Sequence, residues 1–377
     1  MRDIPQLRPK TGTALVLSGG ANKAFYFHLG VLKALRNEPV TSIVGSSAGA
    51  VIGAFLATGA PVDAMIATLY QKDVYFAKFD TWVHTLTSNM LFRAKLPEIA
   101  RQGLTTYLAG LRFLLGLPRL IGKDIVAEFM DTVINSQEHL DGFFDNAALE
   151  TLIRDALRST DFADTEIDLY VTGTGLDDGR RAVFNGIYNF TDDQNDFMTD
   201  VPIHKAVRAS TAIPGLFEPM KIKGRNYIDG EIKQTLSADI GVRLADRVII
   251  SYTYQPLHLE GETSIRDMGW LNVVRQATNI AFHERISIWR TLYEQQNPHK
   301  QLIWIHPDPD DIAIFKAPDF AFSPDIQRKL IDAGEIAALK ALGQVTGETS
   351  YREHGRNGTN GNGKGSLPLP DAKARRN

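Results

Sequence analysis

No cysteine occurs among the 377 residues, which excludes disulfides, thiol nucleophiles and cysteine-bound zinc. Net charge is also scarce. The 41 Lys and Arg against 44 Asp and Glu leave −3, so the chain has no strongly basic footprint of the kind that marks nucleic-acid-binding domains. Long apolar runs are missing too: nothing reaches the roughly 18 uninterrupted apolar residues of a spanning helix, and the opening ten residues hold no apolar signal core. What remains is ordinary globular composition, 44% hydrophobic and 23% charged, with length for one large or two ordinary domains. A reducing, cytoplasmic location is the expectation, with peripheral contact at a membrane surface left open.

The apolar run Thr13–Ser18 reads as a strand entering the glycine-rich turn Gly19-Gly20-Ala21-Asn22-Lys23-Ala24, and Leu29, Leu32 and Leu35 follow at helical spacing. A second short strand, Ser42-Ile43-Val44, leads into Gly45-Ser46-Ser47-Ala48-Gly49 and another helix, stopped by Thr58-Gly59-Ala60-Pro61. From Pro61 to Leu157 the signals are helical with no clear strand, which reads as an insertion over the sheet, placed at 60–157. Strand character returns at Ile167–Thr174 and Arg181–Phe184, at Tyr227–Gly230, and in the buried runs Arg247–Tyr252 and Gln301–Ile305. The last residues, 350–377, are rich in Gly, Asn, Lys and Arg and are expected to be disordered, leaving a domain over 11–346.

Ser47 is the most informative residue. A strand, a glycine-flanked serine and a helix together make a nucleophile elbow, in which a strained turn projects the hydroxyl and glycines leave room beside it. Only one strand–helix unit precedes it, whereas an α/β-hydrolase builds several first, so the spacing points to serine acyl transfer on another architecture. The glycine-rich turn Ser18-Gly19-Gly20-Ala21-Asn22-Lys23 is the natural source of oxyanion donors, because small residues entering a helix leave backbone N–H groups free. Neither the dinucleotide fingerprint nor the phosphate-loop pattern fits this turn. Lys23 reads either as a solvated surface lysine or as a cation facing an anionic head group at the mouth of the site. Asp229, at a strand end before Gly230, is a candidate base, although Asp-Gly is also a common turn.

Taken together, Leu17–Ala24, Gly45–Gly49, Ala209-Ser-Thr-Ala-Ile-Pro-Gly-Leu-Phe217 and Tyr227–Gly230 resemble the patatin-like phospholipase family, in that family's order. The resemblance implies a three-layer α/β/α fold with a mainly parallel central sheet and lipid acyl hydrolysis without metal or organic cofactor. It implies a Ser–Asp dyad in which Ser47 is the nucleophile and Asp229 the general base, and an oxyanion hole at Gly19, Gly20 and the amide of Ala21. Lys23 falls on the motif's basic position. Two departures stand out. Ala21 and Ala24 replace glycines of the family loop, so Ala21 serves only if it adopts the required dihedrals. Glu231 follows Asp229-Gly230 where the family often has glycine or alanine, and it would raise the pKa of Asp229 if the two carboxylates faced each other.

Other readings stay open at this point. An acyltransferase on the same fold would pass the acyl group to an alcohol, and an idle lipid-binding scaffold is compatible with the two alanines. A histidine triad would use His306 best, with His258 and His283 behind it. The segment Leu104–Leu117 is the most hydrophobic in the chain; it reads as a cap helix or dimer contact, or as a lid touching lipid. A lipid or acyl-ester substrate is the expected partner, and nucleic acid is not.

Overall fold

The computed structural model describes residues 4, 6–70, 73–76, 81–84, 93–94, 142–259, 261, 263–320 and 323–343. Its frame is a ten-stranded sheet. Five strands run parallel at its centre and one edge: β1 (Thr13–Leu17), β2 (Val40–Ser46), β7 (Asp168–Gly175), β14 (Arg247–Ser251) and β15 (Gln301–Ile305), in the order β15-β14-β1-β2-β7. Beyond β7 the sheet continues through β8 (Arg181–Asn185), β10 (Asn195–Met198) and β9 (Phe190–Thr191), with β8 antiparallel to β7.

Helices cover both faces, which is why the central strands are apolar on both sides. Alternate residues divide cleanly. Leu15, Leu17, Ile43, Leu169, Val171 and Ile249 enter one core with Phe27, Leu29, Ile52 and Leu330 of α1 (Ala21–Ala34), α2 (Ala48–Ala57) and α9 (Pro324–Ala341). Ala14, Val16, Val44, Tyr170, Val248 and Ile250 enter the other with Ile240, Val242 and Leu244 of α6 (Ala238–Leu244) and Ile286 and Tyr293 of α7 (Trp270–Gln296). This is the three-layer α/β/α arrangement with a mainly parallel sheet.

The remaining elements are α3 (Val62–Tyr70), α4 (Ala147–Ala156), α5 (Ile203–Ser210) and α8 (Ile312–Lys316), with the strands β3 (Asp73–Phe76), β4 (Thr81–His84), β5 (Arg93–Ala94), β6 (Gly142–Asp145), β11 (Gly215–Phe217), β12 (Met220–Ile222) and β13 (Arg225–Asp229). The expectation of a strand-free stretch between Pro61 and Leu157 is corrected here. β3 pairs with β4, and β6 lies between β5 and β11 in a separate small sheet. These strands are two to four residues long, too short to show a period of their own in sequence. Leu104–Leu117 and residues 350–377 lie outside the described residues. No helix among the described residues is long and apolar enough to cross a membrane.

One detail of register positions the site. Along one edge of β7, residues Asp168 to Thr172 pair with β2, ending at Ser46 opposite Thr172. The same edge then continues with β13, antiparallel, in which Asp229 sits opposite Gly173. β2 leaves the sheet at Ser46 and β13 arrives head-on into the vacated place. Two segments distant in sequence therefore meet end to end at the C-terminal side of the parallel strands, where ligands of open α/β sheets bind.

Candidate active site

The end of β2 is also the start of α2, and Ser47 makes the change of direction. Its φ of 52° and ψ of −117° lie in a region that non-glycine residues avoid, so the turn is strained and must be held. Three bonds hold it. The Ser47 N–H donates to Ser210 Oγ at 2.8 Å, the Gly49 N–H donates to the Ser18 carbonyl at 3.1 Å, and the Ser47 carbonyl accepts from Ala50 at 2.9 Å. A side chain at Gly49 would strike the Leu17 carbonyl at 2.2 Å, so the elbow closes against β1 only with glycine there.

Asp229 ends β13. Its N–H donates to the Ala212 carbonyl at 2.9 Å, its own carbonyl accepts the Thr174 hydroxyl at 2.8 Å, and its carboxylate accepts the Glu231 N–H at 2.9 Å. The Ser47 side chain stands close enough to favour the anionic form by hydrogen bonding. Burial outweighs both hydrogen bonds and lifts the pKa of Asp229 to about 6. The structure thus brings the two predicted residues together. It also shows what the segment Ala209–Phe217 does: Ser210 fixes the serine and Ala212 fixes the aspartate.

The glycine-rich loop turns β1 into α1. Gly20 has φ 130°, and Ala21, as the sequence made necessary, is left-handed at φ 52°. That conformation costs a residue with a Cβ roughly 1–2 kcal/mol. Among the described residues no acceptor takes the N–H of Gly20 or of Ala21, and both remain available to a ligand. Gly19 differs: its N–H already donates to Glu231 Oε1 at 2.7 Å, so its expected place as an oxyanion donor is corrected to a structural one. Ala48, which sequence reasoning missed, has an N–H with no acceptor among the described residues. It follows the serine directly, the position that supplies a donor in nucleophile elbows generally. The N-termini of α1 and α2 add positive potential at this corner.

Lys23 is not an open cation at a mouth. It is 6% exposed, donates to the Phe315 carbonyl at 3.0 Å and lies 3.7 Å from the Asp319 carboxylate. Burial lowers its pKa to about 8. Its role in the fold is to tie α1 to α8 and the segment after it. Nor does any histidine contact Asp229 or Ser47 among the described residues. His306 bonds the Pro307 carbonyl and lies against Tyr252 with the rings tilted at 37°. His28 lies under the loop, with Nε2 at 3.0 Å from the Ser18 carbonyl and Nδ1 at 2.8 Å from Ser251 Oγ. Because a carbonyl only accepts, Nε2 carries the proton and Nδ1 accepts the serine hydroxyl. Burial lowers the His28 pKa to about 4 and keeps it neutral.

Glu231 meets Asp229 through its backbone N–H and turns its carboxylate to the N–H groups of Gly19 and Leu236, so it does not raise the pKa of Asp229. Burial and the charge of Asp229 raise the pKa of Glu231 to about 7, against the opposing bonds from Gly19 and Leu236. Among the described residues no group of His, Asp and Glu is arranged to hold a metal ion.

A strained serine turn, a buried carboxylate against it and a loop of unpaired amides, carried on a mainly parallel sheet between helical layers, define a class of α/β proteins. The family model for patatin-like phospholipases matches residues 15–241, and the chain belongs to that family, within a superfamily of lipid hydrolases. Uncharacterised NTE family proteins of Mycobacterium bovis and Mycobacterium tuberculosis are 23% identical over 288 residues, 75% of this chain and 60% of theirs. The chain therefore spans about 60% of the length of these relatives. Among solved structures, VipD from Legionella pneumophila aligns with a TM-score of 0.37 at 15% identity, over 88% of this chain and 67% of VipD. The type III effector ExoU of Pseudomonas aeruginosa aligns with a TM-score of 0.35 at 18% identity, over 89% of this chain and 54% of that one.

Proposed function

We propose that the chain is a serine acyl hydrolase of lipid esters that works through a Ser47–Asp229 dyad. The observation that carries this reading is the head-on junction of β2 and β13, which sets the serine against a buried carboxylate with no histidine between among the described residues. An aspartate in water, with pKa near 3.9, is too weak a base for the task. Buried and lifted to about 6, Asp229 is both a stronger base and still largely ionised at neutral pH.

In the first half-reaction the Ser47 hydroxyl gives its proton to Asp229 as Oγ attacks the ester carbonyl. The carbonyl oxygen becomes an oxyanion, and the unpaired amides of Gly20, Ala21 and Ala48 are the donors we assign to it. Collapse of the intermediate breaks the bond to the alcohol, which leaves with the proton from Asp229. In the second half-reaction water gives a proton to Asp229 and attacks the acyl–Ser47 ester. The acid departs and the proton returns to Ser47.

The test is turnover of p-nitrophenyl esters and phospholipid by the full chain and by Ser47→Ala and Asp229→Asn. Each substitution should lower kcat by about a thousandfold or more, because members of one catalytic unit fail together. A fluorophosphonate should label wild type at Ser47. Retained turnover in either variant rejects the dyad, and product analysis with an added alcohol acceptor separates hydrolysis from transfer.

A further inference from the structure

The buried carboxylate of Glu231 is used by nothing in the mechanism above, yet it joins two backbone segments that are both strained. Its Oε1 accepts the Gly19 N–H at 2.7 Å, at the base of the loop that carries Gly20 and the left-handed Ala21. Its Oε2 accepts the Leu236 N–H at 3.0 Å, at the head of a turn in which Leu236 and Ser237 are both left-handed, with φ of 66° and 49°. Its own N–H is fixed on the Asp229 carboxylate at 2.9 Å. The side chain is 2% exposed, so these bonds face no competition from water.

The packing around Gly19 shows how directly this reaches Ser47. A methyl group built on Gly19 would lie 2.9 Å from Glu231 Cγ, 2.9 Å from the Tyr254 hydroxyl and 3.0 Å from Ser47 Cβ. Glutamate, serine and loop therefore share one contact. Resting on the hydrolase reading, we infer that Glu231 is a positioning residue for the oxyanion loop: it clamps Gly19 so that the amides of Gly20 and Ala21 stay aimed beside Ser47 despite the strain at Ala21. With glycine at position 21 the loop would hold its shape unaided. With alanine it favours relaxing to a negative φ, which would turn the amide away, and the buried Glu231 acceptor on the Gly19 N–H opposes that movement.

The inference ties two residues that do not touch in sequence, and a double-mutant cycle reads the tie. Glu231→Gln keeps the volume and one acceptor, and Glu231→Ala removes both. Each should lower kcat on a soluble p-nitrophenyl ester, the alanine variant by about a hundredfold, with KM changed only a few-fold. In an Ala21→Gly background the same substitutions should cost about tenfold less. Amide hydrogen exchange of the peptide containing Gly19 to Ala21 should quicken in Glu231→Gln and return toward wild type in the double variant.

Wild-type kcat in Glu231→Ala overturns the inference, and so does an equal loss in both backgrounds. If Glu231→Ala fails to fold, the glutamine variant and its exchange decide alone, unchanged exchange being a rejection. A wild type that turns over no ester and takes no fluorophosphonate, with exchange still raised by Glu231→Gln, supports the clamp and rejects the hydrolase reading instead.

Discussion

At the scale of single residues, the site depends on two carboxylates that burial holds close to neutrality. In the proposed dyad Asp229 must be ionised to take the serine proton, and its pKa is lifted to about 6, chiefly by loss of water around it. Activity should therefore be absent in acid, climb about tenfold per pH unit below that value, and level off above it. Glu231, lifted to about 7, titrates in the same window, so the limb belongs to the pair and appears as macroscopic steps. The measurement is kcat/KM on a soluble ester against pH. A profile flat from about pH 4 to 8 would mean that no carboxylate of this kind supplies the base. The residues that set this chemistry were unevenly legible. Ser47 announces itself by a strand, two glycines and a helix, and the strain at Ala21 follows from a missing glycine. Asp229 is one Asp-Gly turn among others and stands out only by resemblance. Ser210, Ala48 and the clamp of Glu231 leave no local signal, because each acts through a backbone contact made across the fold.

At the scale of elements, the loop proposed to hold the oxyanion is only as steady as α1, and α1 is set by its crossing with α9. A Cβ on Gly30 would come 1.8 Å from the Ile331 carbonyl, and one on Gly334 would come 2.0 Å from the Phe27 carbonyl. The two backbones touch through a pair of glycines. Glycine inside a helix ordinarily costs about 1 kcal/mol relative to alanine, so Gly30→Ala on a free helix would stabilise. Here overpacking of about 1–3 kcal/mol or more opposes that gain, and with backbone as the obstacle it prevails. Gly30→Ala and Gly334→Ala should each lower the urea midpoint, and lower kcat more than the loss of folded protein accounts for. A raised midpoint would show the helices free to part. The strands show the same division between what is local and what is not. Those of the parallel centre were readable because burial on both faces makes continuous apolar runs. β9 to β12 and the strands of the small sheets were not, since two to four residues carry no such run. That β13 continues the edge β2 leaves is a matter of pairing, and pairing is not written in either segment alone.

At the scale of the whole molecule, a corner built to hold two buried carboxylates lowers the stability of the fold that carries it. An acid whose folded pKa is raised binds its proton more tightly when folded. Its folding penalty is absent below the unfolded pKa of about 3.9, grows as pH rises through the interval, and is complete above the folded value. For Asp229, lifted to about 6, the full penalty is on the order of 3 kcal/mol. Asn at this position keeps an oxygen for the Glu231 N–H and has no charge to bury. Asp229→Asn should therefore melt higher than wild type at pH 8, by roughly 4 °C on the entropy scaling for a domain of this length. The difference should shrink as pH falls and vanish below about pH 3, where wild-type Asp229 is protonated in both states. Calorimetry of both proteins across this range gives the answer. A variant melting lower than wild type at pH 8 would mean that hydrogen bonds, and not loss of water, dominate at Asp229, and the base would then be weaker than the mechanism requires.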